Sequence, residues 1–124
     1  DAIFAAGRIL QIVAQSNQKV SEMLADLPET ASTPEIRIDC PDDRKFEIVR
    51  ELTEFFRSQY KVIDIDGVRI NFDNGWALIR ASNTQPVLVL RFEAETQTRL
   101  KELVGIIKKQ MDHYKAIIQF DYQA

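Results

Sequence analysis

The 124-residue sequence predicts an α+β fold, an antiparallel sheet of four to five strands with two helices on one face, preceded by a short helical piece. Three observations predict it. Short stretches such as "VRINF" alternate apolar and polar side chains, and Asp66-Gly67 and Asn74-Gly75 separate them as type I′ hairpin turns would. Two longer stretches, near 41–60 and 96–114, repeat apolar residues every three or four positions.

Taken in order, the chain begins with Ile3, Ala6, Leu10 and Val13, then Val20, Met23, Leu24 and Leu27, at helical spacings with "QSNQ" between them. This predicts two short helices. Their apolar face lacks a local partner and is expected to pack on a body beyond these residues, and the opening on Asp1 inside a helical pattern suggests a piece excised from something longer. "LPETASTP" has the proline and small-polar composition of a linker, so the expected division is 1–27, a hinge at 28–34, and a domain at 35–124. "EIRID" then alternates as a strand. "CPDDRKFEIVRELTEFFRSQY" follows as a helix, with Pro41 and the two aspartates suited to its first turn and Phe46, Val49, Leu52 and Phe56 expected as its buried stripe.

"KVIDI", "VRINF" and "WALIRAS" come next as a meander, with Val68, Ile70 and Phe72 facing one way and Arg69 and Asn71 the other. A further strand, "VLVLRFEAE", leaves the loop "RASNTQP". The closing helix carries Leu100, Leu103, Val104, Ile107, Met111 and Tyr114 on one face.

Composition narrows the function classes. Sixteen Lys and Arg against nineteen Asp and Glu leave a net charge of −3, which offers no broad attraction to nucleic acid or an anionic membrane, so any anion must be gripped locally. A single cysteine, Cys40, excludes an intramolecular disulfide and a multi-cysteine metal cluster and favours a cytoplasmic origin. No apolar run approaches the roughly 20 residues that span a bilayer.

Few residues offer chemistry. His113, the one histidine, is read as a surface residue, because nothing in the pattern brings it to Ser82 or Cys40 as a nucleophile would need. "DIDG" at 64–67 lacks the ligand series of a calcium loop and is read as a turn. Arg80, Ser82, Asn83 and Thr84 differ, since they put a guanidinium, two hydroxyls and a carboxamide within five positions of one loop. A guanidinium fork matches phosphate oxygens, and small side chains let backbone N–H groups converge on one point. The same residue types also suit an ordinary hairpin loop, and composition leaves both readings open. No GxxxxGK[ST] signature is present, so a nucleotide P-loop is not expected.

The ordered set "DGVR", "GW", "RASNTQP" and "LRFEA", with "STPEI" and "DAIFAAGRILQIV" upstream, resembles the C-terminal, fourth domain of the α-D-phosphohexomutases, on the phosphomannomutase/phosphoglucomutase branch. The resemblance covers essentially the whole chain. It implies a fold like that of the TATA-binding protein, with 1–27 closing the preceding third domain. It also implies that Arg80, Ser82, Asn83 and Thr84 hold the non-reacting phosphate of a hexose phosphate. The implied enzyme is an isomerase that interconverts hexose 1- and 6-phosphates through a phosphoserine and a bisphosphorylated intermediate, with glucose 1,6-bisphosphate as activator or intermediate and Mg2+ assisting. The serine, the metal loop and the other three domains would lie outside this chain, so the chain alone is expected to lack mutase activity. Phosphoglucosamine mutases carry an "SGTEP" kind of loop where this sequence reads "SNTQP", so Asn83 points to the mannose/glucose branch.

Three rival readings remain at the level of sequence. They are a stand-alone phosphosugar-binding module, a DNA-reading sheet by analogy of fold, and an interaction domain whose loop binds nothing. The acidic balance and the Asp, Asn and Glu along the strands oppose the second.

Overall fold

Alternation at Ile36 and Ile38, and at Val68, Ile70 and Phe72, places a row of apolar side chains on one side of the backbone. In the computed structural model, which describes residues 1–122, these rows form the buried side of an antiparallel sheet. Its strands are β1 (Ala31–Ser32), β2 (Ile36–Asp39), β3 (Lys61–Ile63), β4 (Val68–Phe72), β5 (Gly75–Ala81) and β6 (Val87–Ala94). They run in the order β1-β6-β5-β4-β3, with β2 also on β6. β1 and β2 share one edge of β6, Ala31 opposite Ala94 and Ile36 opposite Leu90, so the six strands occupy five lanes.

β1 was not expected, because it lies in the linker composition of 28–34. It is tied down at Thr33, whose N–H donates to the Phe92 carbonyl at 3.0 Å and whose buried hydroxyl accepts from the Phe92 N–H at 3.2 Å. Satisfying both backbone groups of a buried strand residue outweighs the local linker signal.

Two helices, α2 (Asp42–Arg57) and α3 (Gln97–Met111), cover the buried face, as the sequence predicts. Of the predicted stripe of α3, Leu100, Leu103, Val104, Ile107 and Met111 are buried, while Tyr114 falls beyond the end of the helix and is half-buried. Its start is capped by Thr96, whose side chain accepts from the Arg99 N–H, and Arg99 Nε in turn donates to the Asp73 carbonyl. The expected stripe of α2 is out of phase at its first position. Phe46 is exposed and Lys45 is buried, so the stripe is Lys45, Ile48, Val49, Leu52 and Phe56. The spacing i, i+3, i+4, i+7, i+11 fits one helical face better than Phe46 does, and apolarity alone misassigned that turn.

The hairpin turns also differ from type I′ expectation. Asn74 carries the positive φ, 62°, while Gly75 is already in β5 opposite Phe72. Gly67 takes φ 86° at the end of a longer β3–β4 connection. At the N-terminus α1 (Ala2–Gln15) buries none of its residues, and the second expected helix is a single 3-10 turn, Val20–Glu22.

After α3 a 3-10 turn, Asp112–Tyr114, brings the Tyr114 hydroxyl to donate to the Glu51 carboxylate of α2 at 2.8 Å. Desolvation first, and the Glu51 hydrogen bond and charge second, push the phenol up to about 12. A folded-state value above the unfolded one means that the folded chain holds its proton longer, so this contact supports stability below about pH 10 and loses that support as pH rises toward 12. Tyr114→Phe is therefore expected to flatten the decline in melting temperature over that range. A decline as steep as in the parent protein would show that the pair carries no linkage.

Candidate functional site

The loop "RASNTQP" closes the β5–β6 hairpin at one end of the sheet. Ser82 N–H donates to the Val87 carbonyl at 3.0 Å, leaving 83–86 as a four-residue connection whose side chains are all exposed. Ser82 is turned inward and 8% exposed. Its hydroxyl oxygen accepts from the Gln85 N–H at 3.2 Å and more distantly from the Thr84 N–H at 3.4 Å, the bonding of a serine-stabilised turn. Its own proton stays available to an acceptor outside.

Arg80 stands on the side of β5 opposite the helices, because Ile79 and Ala81 take the buried positions on either side of it. Its guanidinium is 3.6 Å from the Asp66 carboxylate, an ion pair too long to be a direct hydrogen bond, and its Nε lies buried without an acceptor. Gly67 lies against the same residue. A Cβ there would come within 2.4 Å of the Ile79 carbonyl and 2.7 Å of the Arg80 Cα. "DIDG", read from sequence only as a turn, thus supplies both the counterion and the close packing of the loop arginine, while Asp64 pairs with Arg57.

The descending arm of the loop is held by residues that sequence reading passed over. Cys40 N–H donates to the Pro86 carbonyl at 2.8 Å, Lys45 Nζ to the Gln85 carbonyl at 3.0 Å, and Arg37 to the Gln85 side-chain oxygen. Only the phase of α2, which turns Lys45 inward, could have flagged one of them. The Cys40 thiol is buried, and desolvation raises its pKa above the ordinary 9.0. His113 is exposed, with Nδ1 2.9 Å from the Gln110 carbonyl, as a surface histidine should be.

Among the described residues no cluster of three or more His, Cys, Asp or Glu side chains could hold a metal ion, so magnesium finds no fitting donor set here. Nor, among them, is any helix long and apolar enough to cross a membrane. The site is an under-satisfied guanidinium next in sequence to a hydrogen-bonded, polar, outward-facing turn.

Fold and loop together define an antiparallel α+β domain with one anchored polar loop at the end of its central strands. The profile of the family described as phosphoglucomutase/phosphomannomutase, C-terminal domain, matches residues 35–110. The chain belongs to that family. It is 42% identical over 112 residues to a phosphomannomutase/phosphoglucomutase from Pseudomonas syringae, covering 90% of this chain and 24% of the relative. A protein of the same name from Pseudomonas putida is 38% identical over 123 residues, covering 98% of this chain and 27% of that one. The crystal structure of a phosphoglucomutase/phosphomannomutase family protein from Burkholderia thailandensis superposes with a TM-score of 0.71 at 29% identity, over 93% of this chain and 24% of that one. The chain thus spans about a quarter of the length of the relatives it matches.

Proposed function

We propose that this chain is the phosphate-gripping domain of a phosphohexomutase that interconverts hexose 1-phosphate and hexose 6-phosphate, on the mannose/glucose branch. The observation that carries the proposal is the state of Arg80, a guanidinium with a buried, unpartnered Nε and only a loose carboxylate partner, beside the Ser82 turn. A phosphate offers the acceptors this fork lacks. In this reading Arg80 binds two phosphate oxygens, Ser82 donates its hydroxyl proton, and exposed Asn83 and Thr84 add donors from the rim.

The gripped phosphate is the one that does not react. The opposite end of the hexose then faces a phosphoserine on another domain, which passes its phosphoryl group to the free hydroxyl. The bisphosphorylated sugar turns over, and the second phosphoryl group returns to serine. Mg2+ serves at that serine, outside these residues. The substrate and three further domains are the partners of this one, and the enzyme works in the cytoplasm. Residues 1–27 belong with the third domain, and of the hinge expected at 28–34 the part before β1, 28–30, lets the cleft close, which orients the reactive hydroxyl and excludes water.

Titration of this chain with inorganic phosphate, glucose 1-phosphate and mannose 1-phosphate tests the reading. Amide resonances of 80–85 are expected to shift saturably, with weak and similar affinities for the three ligands, because the loop contacts phosphate and not sugar. Shifts that spread over the sheet, or none at all, would count against a phosphate clamp in this loop.

A further inference from the structure

Among the described residues Lys45 alone of the charged side chains is buried, at 3% exposed, although it stands in the first turns of a surface helix. Buried charges are retained when paired and hydrogen-bonded, and the partners of this one are informative. The ammonium donates to the Asp42 carboxylate at 2.5 Å and to the Gln85 carbonyl at 3.0 Å, and it lies over the Phe46 ring. Asp42 is on the same helix with its side chain 71% exposed. Gln85 belongs to the RASNTQP loop, on the far side of the sequence.

Gln85 is held at both ends. Its carbonyl accepts from Lys45, and its N–H donates to Ser82 Oγ at 3.2 Å. A displacement of Lys45 would therefore be passed through the backbone of one residue to the Ser82 hydroxyl. The charge matters as well as the bond. Water screens the exposed carboxylate of Asp42 more than it screens the enclosed ammonium, so a partly uncompensated positive charge rests beneath the loop. Of the three buried polar side chains among the described residues, Lys45 and Ser82 serve this one connection, while Thr33 serves β6.

We propose that Lys45 is a positioning residue for the phosphate loop, a buried cation that sets the 82–85 turn through the Gln85 carbonyl and strengthens anion binding without touching the anion. This rests on the phosphate reading of the loop. The test titrates inorganic phosphate into the full 124-residue chain and its variants, following the amides of 82–85.

Lys45→Met is expected to weaken phosphate about five- to tenfold while amides of α3 and β4 keep their shifts, and Lys45→Arg to recover affinity to within about twofold of the parent. Asp42→Asn, which changes an exposed side chain and keeps the lysine, is expected to tighten phosphate about twofold, an effect that simple loss of structure cannot produce. A folded Lys45→Met that binds as the parent does overturns the inference, and so does Lys45→Arg no better than Lys45→Met. If Lys45→Met fails to fold, an unchanged affinity in Asp42→Asn overturns it. Binding by the parent with indifferent variants removes this inference alone, whereas a parent that binds no phosphate removes it together with the reading on which it rests.

Discussion

Gly67→Ala is expected to lower the melting temperature of this domain by ten degrees or more. Two costs coincide at this position. The backbone sits at φ 86°, where an L side chain is strained by roughly 1–3 kcal/mol. The new Cβ would also meet the Ile79 carbonyl at 2.4 Å and the Arg80 Cα and Cβ at 2.7 Å, so one strand must shift, at an overpacking cost of about 1–3 kcal/mol. At mid-range, about 2 kcal/mol for each cost, even about 4 °C per kcal/mol carries the two together past ten degrees. The atoms met are mostly backbone, so rotamer changes offer no relief. Gly105→Ala is the contrasting control, because nothing lies within 4 Å of its Cβ position on α3 and alanine favours the helix. Gly105→Ala should match or slightly exceed the parent. Equal melting temperatures for Gly67→Ala and the parent would show that β4 does not approach β5 as closely as described.

Arg80→Ala is expected to leave the fold intact and to weaken inorganic phosphate by at least about tenfold. Charge-assisted hydrogen bonds contribute about 1.5–3 kcal/mol each, which is tenfold or more in affinity per bond. The side chain is 42% exposed and its one ion partner, Asp66, is 62% exposed, so its removal opens no core cavity and strands no buried charge. Arg80→Lys should recover only part of the affinity, since an ammonium keeps the charge and loses the planar fork. In the intact mutase proposed above, Arg80→Ala should raise KM and lower kcat together, because binding energy far from the reacting hydroxyl is used for orientation. A parent-like phosphate affinity in Arg80→Ala would end the assignment of the loop arginine.

The two variants separate stability from binding at adjacent points of the structure. Gly67 lies against the backbone of the residue whose side chain is proposed to grip phosphate, so Gly67→Ala should disturb both, whereas Arg80→Ala should disturb binding alone.

Much of this was legible in the linear sequence where the relevant interactions are local. The alternation of Val68, Ile70 and Phe72 and the repeat from Leu100 to Met111 report the period of the backbone itself, and both faces came out as their spacing requires. The loop residues Arg80, Ser82, Asn83 and Thr84 could be singled out for a related reason: they fall within five positions of one another, so naming them as candidates needs no knowledge of the fold. Phe46 shows the limit of the method. Apolarity placed it in the core, but the phase set by Ile48, Leu52 and Phe56 gave the inward position to Lys45, because Gln85 and Asp42 supply oxygen acceptors there.

By itself, the sequence determined the α+β class, the faces of the strands and of α3, the family, and the four residues that make the candidate loop. Only the tertiary structure decided what supports that loop: Asp66 and Gly67 against Arg80, and Cys40, Lys45 and Arg37 on its descending arm. The physical reason is chain separation. Periodicity and turn chemistry act over a few residues and leave their mark on local sequence, whereas a hydrogen bond from Lys45 to Gln85 exists only once β2, α2 and the β5–β6 hairpin have packed, and no local pattern encodes it.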